Sequence, residues 1–226
     1  MRHPAFWALA FFLGFIISPV QSARPREENR VLAVAEKMKA VFQGVEDYSS
    51  EVEQIYFKDG VEKQRCQFKY SFKKPRLIRV EFINPYSGLL VFYQGGEKKA
   101  TLRPFPSFPS LQFNLSVDSS ILKTPTGQSI NQTDMGFFID FLFRNLAGVR
   151  QKDDQFEEQE DQVNFLFWGR DYVKGETPER YHIFISRQNW FPVRIERYST
   201  EGKPMETSII GNYVFNSHPA DALFTP

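Results

Sequence analysis

Cys66, Phe68, Tyr70 and Phe72 alternate with Gln67, Lys69 and Ser71, and the same two-residue period returns at Ile78, Val80 and Phe82 and again at Leu111, Phe113, Leu115 and Val117. Successive side chains of a strand point to opposite faces, so each run predicts a strand with one apolar face. β-prone runs also occupy 50–57, 89–93, 99–102, 163–168, 181–186, 191–198 and 205–215. Turn signals separate them: Asp59-Gly60, Lys73-Lys74-Pro75, Asn84 to Gly88, Gly95-Gly96, and Glu201-Gly202-Lys203-Pro204. About ten short strands in hairpin order predict an antiparallel sheet in a barrel or sandwich. Pro104, Pro106 and Pro109 mark an edge or crossing segment, because proline cannot donate to a ladder.

Two segments have helical rather than strand periodicity. In 27–45, Val31, Leu32, Ala35, Met38, Val41, Phe42 and Val45 recur at three- and four-residue steps, which predicts a helix lying on another layer. The 133–146 segment predicts a second helix, capped by Thr133, with Asp134 in its first turn and Gly148 at its end. Its apolar residues cover nearly the whole circumference, so it must be buried on more than one side.

The first residues have a different character. Arg2 precedes a run from Phe6 to Val20 that is apolar apart from Gly14, Ser18 and Pro19; small residues and then charge follow at once. This is the layout of a cleaved secretory signal peptide over 1–23, leaving 24–226 as one domain in an exported, periplasm-like compartment. Lys and Arg number 28 against 27 Asp and Glu, with no basic block, which argues against a nucleic-acid binder. A single cysteine, Cys66, excludes an internal disulfide framework and any cysteine-cluster metal site.

Catalytic signatures are sparse. Beyond the leader only His182 and His218 remain, without metal-ligand spacing, and His182 sits in a strand pattern. Gly95-Gly96 before Lys98 reads better as a hairpin turn than as a phosphate loop. The acidic 151–162 stretch lacks a calcium-loop pattern and reads as a solvated loop or exposed strand. No metal, cofactor or enzymatic activity is expected. What stands out is 24 Phe. Phe and Tyr on the strand faces, with a helix apolar all round, are compatible with a solid core and equally with a curved sheet around an apolar cavity.

Phe72-Lys73-Lys74-Pro75-Arg76-Leu77-Ile78-Arg79-Val80, with Pro85 beyond, follows a leader, a helix and a hairpin. This order resembles the periplasmic outer-membrane lipoprotein carrier proteins of the LolA type and their lipoprotein-sorting relatives. Phe138 to Asn145 resembles the mid-chain lid helix of that family, and Ala222 to Pro226 its closing segment. The resemblance implies an incomplete antiparallel barrel of about eleven strands, mainly β with an N-terminal helix, and a Phe-rich lid helix over an apolar cavity for acyl chains. It also implies an acylated lipoprotein or lipid cargo, an inner-membrane extraction complex and an outer-membrane acceptor as partners, and a monomeric carrier. The family's lid-holding Arg corresponds to Lys74, which lacks the planar fork of a guanidinium. The strand-3 Trp common in that family is missing, with Val80 or Phe82 in its vicinity. With one strand parity taken as inward, the cavity is expected to be lined by Ile78, Val80, Phe82, Leu90, Phe92, Phe113, Leu115, Phe138, Phe141, Leu142, Phe165 and Phe167. Asp at Phe141 and Leu142 is then expected to abolish lipid binding without unfolding the protein. The alternative is a lipid- or protein-binding sensor of the same fold.

Overall fold

The computed structural model describes residues 27–146, 155–171 and 177–226. The leader, Gly148 and residues 151–154 of the acidic stretch lie outside them. The chain begins with α1 (Glu27–Gln43) and runs into β1 (Asp47–Lys58), β2 (Val61–Lys73), β3 (Leu77–Asn84), β4 (Leu90–Gln94), β5 (Lys99–Arg103) and β6 (Phe113–Ser116). A crossover with two short 3-10 turns leads to α2 (Met135–Leu146), and then β7 (Gln155–Glu158), β8 (Gln162–Arg170), β9 (Pro178–Ser186), β10 (Pro192–Tyr198) and β11 (Pro204–Phe215) follow. The acidic stretch thus supplies an exposed edge strand, β7.

All eleven strands form one antiparallel sheet in the order β6-β5-β4-β3-β2-β1-β11-β10-β9-β8-β7. Consecutive strands are neighbours except where β1 pairs with β11 and where the crossover carries the chain from β6 at one edge to β7 at the other. The sheet is open between β6 and β7, and the crossover spans its inner face. Register shifts in the β1–β2, β1–β11, β2–β3, β10–β11 and β9–β10 ladders bend it. One lies where Asn212 adopts a φ of 54°. Cis peptide bonds precede Pro75 and Pro85 at the two ends of β3.

Pairing arranges the inner face in rows that cross the strands. One joins Tyr48, Phe72, Ile78, Tyr93 and Ala100. The next joins Ser50, Tyr70, Val80, Val91 and Leu102, and a third Val52, Phe68, Phe82 and Ile210. The last is different in kind: Gln64, Tyr56, Glu206, Arg197 and Tyr181. The inner face is therefore aromatic at one end of β1 and polar at the other, roughly 26 Å away at about 3.3 Å per residue.

The two helices fill the β8–β9 part of this face. Val31, Val34, Ala35 and Met38 of α1 join a continuous core with Ile139, Phe141 and Leu142 of α2. Phe141 lies 4.9 Å from the Tyr181 ring and 6.1 Å from Phe167, centroid to centroid.

Candidate functional site: a cavity under the crossover

The other part of the inner face is not filled. A cavity of about 650 Å³ separates the crossover and the first turn of α2 from β1–β5, β10 and β11. That is within the range of about 300–1,000 Å³ common for ligand sites. Val52, Phe68, Phe82 and Ile210 form its middle, Met135 and Phe138 of α2 close one end, and Gln54, Gln64 and Glu206 stand at the other. A solid core and a cavity, both compatible with the composition, thus coexist on different parts of one sheet.

Two charged side chains tie the crossover down, and the Tyr70 hydroxyl adds a contact with Thr133 at 3.3 Å. Arg76, just before β3, donates from Nε to Asp134 Oδ2 at 2.7 Å and from Nη2 to the Asn131 carbonyl at 2.6 Å. Asp134 also accepts from Phe137 N at 3.0 Å, so Asp134 rather than Thr133 caps α2. The Thr133 hydroxyl instead donates to the Ile130 carbonyl. Gly95 makes this position of Arg76 possible: its N–H bonds the Arg76 carbonyl at 2.8 Å, and a Cβ there would collide with Arg76 Cβ. The Gly95-Gly96 pair is thus a hairpin turn with a packing role. The second tie runs from Thr126 Oγ1 to Glu206 Oε2 at 2.6 Å.

Burial pushes Tyr48, Tyr56 and Tyr70 well above the ordinary tyrosine value, and the Glu206 charge adds to the rise at Tyr56 as Asp134 does at Tyr70. Tyr48 accepts the Met135 N–H at 3.3 Å and so satisfies a donor in the first turn of α2.

Of the residues expected from sequence to line the site, Val80, Phe82 and Phe138 lie on the cavity wall. Ile78 is on the same face but fully buried in the aromatic row beyond it. Leu90 and Phe92 are on the opposite face of β4, because Val80 pairs with Val91 and so turns Leu89 and Val91 inward. Phe113 is 44% exposed on the edge strand β6, where Leu115 lies opposite Ala100; neither is on the wall. Phe141, Leu142, Phe165 and Phe167 belong to the packed β8–β9 core. Lys74 reaches the Gln43 carbonyl at 2.9 Å and lies over the Phe42 ring, so it serves the end of α1, whereas Arg76 bonds the residues before α2. Sequence reading missed Arg76, Asp134, Thr126, Glu206 and Arg197.

His182, on the outer face, is paired with Asn164 at 3.0 Å and lies 3.4 Å from Glu196. Burial would raise the Glu196 carboxyl, but bonds from His182, Tyr198 and Arg194 outweigh it and hold the group down at about 2. Among the described residues, no group of three or more His, Cys, Asp or Glu is placed to hold a metal ion, and no helix is long and apolar enough to cross a membrane.

No protein-family model and no curated protein sequence matches this chain. Solved structures do. The lipoprotein LppX of Mycobacterium tuberculosis is similar over 85% of this chain and 98% of its own, with 13% identity and a TM-score of 0.50. A LolA superfamily protein of Nitrosomonas europaea covers 87% and 97% at 14% identity and a TM-score of 0.40. A putative outer membrane lipoprotein-sorting protein domain from Vibrio parahaemolyticus covers 88% and 97% at 12% identity and a TM-score of 0.43. These similarities are likenesses of fold.

Proposed function

We propose that the protein is a non-catalytic carrier that shields acyl chains of lipids or lipoproteins in its cavity. It would be exported by the 1–23 leader, would collect cargo at the inner membrane from an extraction complex, and would release it to an outer-membrane acceptor. The observation that carries this reading is the cavity itself: about 650 Å³ between a curved sheet and a crossover held to it by side-chain hydrogen bonds. Burying acyl chain contributes up to ~0.8 kcal/mol per CH₂, so a full chain would be held too tightly to leave unless opening and refilling compete with it. Phe68, Phe82 and Phe138 are the side chains able to close into the vacated space.

Native mass spectrometry of protein exported with its own leader, followed by lipid extraction, tests the reading. A discrete added mass identified as lipid or lipoprotein is the expected result. Val52→Trp, at the middle of the cavity, should lower acyl-probe affinity more than about tenfold with an unchanged melting temperature. Wild-type affinity in a folded Val52→Trp protein would place the ligand elsewhere.

The Arg76 tie makes a separate prediction. Arg76→Ala removes charge-assisted bonds worth about 1.5–3 kcal/mol. It should raise amide exchange in 129–137 and speed probe release, while exchange in β8 and β9 stays as in the wild type. Uniform protection in 129–137 would show that Arg76 does not hold the crossover.

A second reading, a sensor of the same fold that binds a partner protein, draws on the β5–β6 loop. Phe105 and Phe108 there are 53% and 64% exposed. A clean apo mass with no uptake of acylated ligands would favour it.

A further inference from the structure

The polar row has a chemistry that shielding an alkyl chain does not use. Arg197 Nη1 donates to Glu206 Oε2 at 2.9 Å, while its Nε and Nη2 donate to Glu179 Oε2 at 3.1 and 2.9 Å. All three side chains are buried, and together they carry one formal negative charge. Such a network adds little stability over apolar residues of the same volume, yet it interrupts an inner face that is otherwise largely aromatic and aliphatic. Glu206, 3% exposed, is the member that lines the cavity.

Two kinds of donor hold Glu206. Arg197, Gln54 (2.9 Å to Oε1) and Ser208 (3.4 Å to Oε1) come from the sheet. Thr126 comes from the crossover, in a turn closed by its own bonds: Gly127 N to the Thr124 carbonyl at 2.8 Å and Gln128 N to Thr124 Oγ1 at 3.0 Å. That turn keeps these bonds when Thr126 leaves the carboxylate, so its hydroxyl is the replaceable ligand of Glu206.

We propose that Glu206 is the headgroup acceptor of the cavity, and that the cargo is an alkyl-chain lipid with a primary ammonium at its polar end, which takes the place of the Thr126 hydroxyl. The proposal rests on the carrier reading and specifies its cargo class. A hydroxyl exchanges one neutral donor for another. An ammonium brings a charge-assisted bond, about twice as strong as a neutral one, and balances the excess negative charge. A phosphate or sulfate without an ammonium meets the Glu206 carboxylate and is disfavoured there. The alkyl chain then runs past Val52 and Phe68 toward Phe138.

The test is calorimetric titration of the exported full chain with monomeric dodecylamine, dodecanol and dodecyl sulfate. The amine should bind about tenfold or more tighter than the alcohol, and the sulfate weakest. Glu206→Gln should lower amine affinity about tenfold or more and abolish the preference for amine over alcohol. Thr126→Val, which removes the competing donor, should raise amine affinity severalfold. Equal affinities for the three probes, or an amine preference that survives Glu206→Gln, would overturn the headgroup assignment. Binding of none of the three would overturn the carrier reading itself and the assignment with it. Where Glu206→Gln does not fold, Thr126→Val decides: amine affinity no higher than wild type overturns the proposal.

Discussion

Arg197→Leu is expected to destabilise the protein by about 3–5 kcal/mol, because it leaves two carboxylates buried without the cation they share. For a chain of this length that corresponds to a fall of roughly 6–20 °C in melting temperature. Glu179 loses all the guanidinium bonds that hold it, keeping the Tyr181 hydroxyl at 2.8 Å, and Glu206 keeps only neutral donors. Replacing all three residues by Leu should restore most of the lost stability, since the penalty belongs to unpaired charge and not to the absence of the network. Urea unfolding at neutral pH measures both. A loss under about 1 kcal/mol at neutral pH would mean that water, not the guanidinium, satisfies Glu206.

The same residues show where the sequence is readable and where it is not. β2 is legible because only one of its faces is apolar, and one-sided burial imposes the two-residue period on Cys66 to Phe72. β4 is not, because Leu90, Val91, Phe92 and Tyr93 are all buried. With both faces covered, alternation carries no parity, and the inward side is decided by pairing with β3, a non-local fact. Arg76 finds Asp134 across 58 positions of chain, and no local signal announces a contact of that range. Glu206 and Arg197 are a different case. Glu206 has the parity of Ser208 and Ile210, and Arg197 that of Ile195. A charge at an inward position in each of two consecutive strands was a readable sign of a paired polar row.

The all-round apolar character of α2 anticipated burial on more than one side, and the way the structure divides that surface changes what a mutation there reports. Phe141 and Leu142 are 2% and 0% exposed and packed on β8 and β9, whereas Phe137 and Phe138 turn toward the cavity. Truncating a buried Phe already removes about 3–5 kcal/mol, and a buried carboxylate adds its own desolvation. Phe141→Asp should therefore lose cooperative unfolding or fall by well over 10 °C in melting temperature. Lost lipid binding in that variant would report unfolding, not a blocked site. Phe137→Asp, half-buried at the wall, should keep the fold. Thermal melts of the two variants, with near-ultraviolet circular dichroism as a check on packing, separate them. A folded Phe141→Asp protein would mean that α2 leaves the β8–β9 core in solution and is itself the moving lid. An unfolded one would mean that α2 is a fixed part of the β8–β9 core and not a lid.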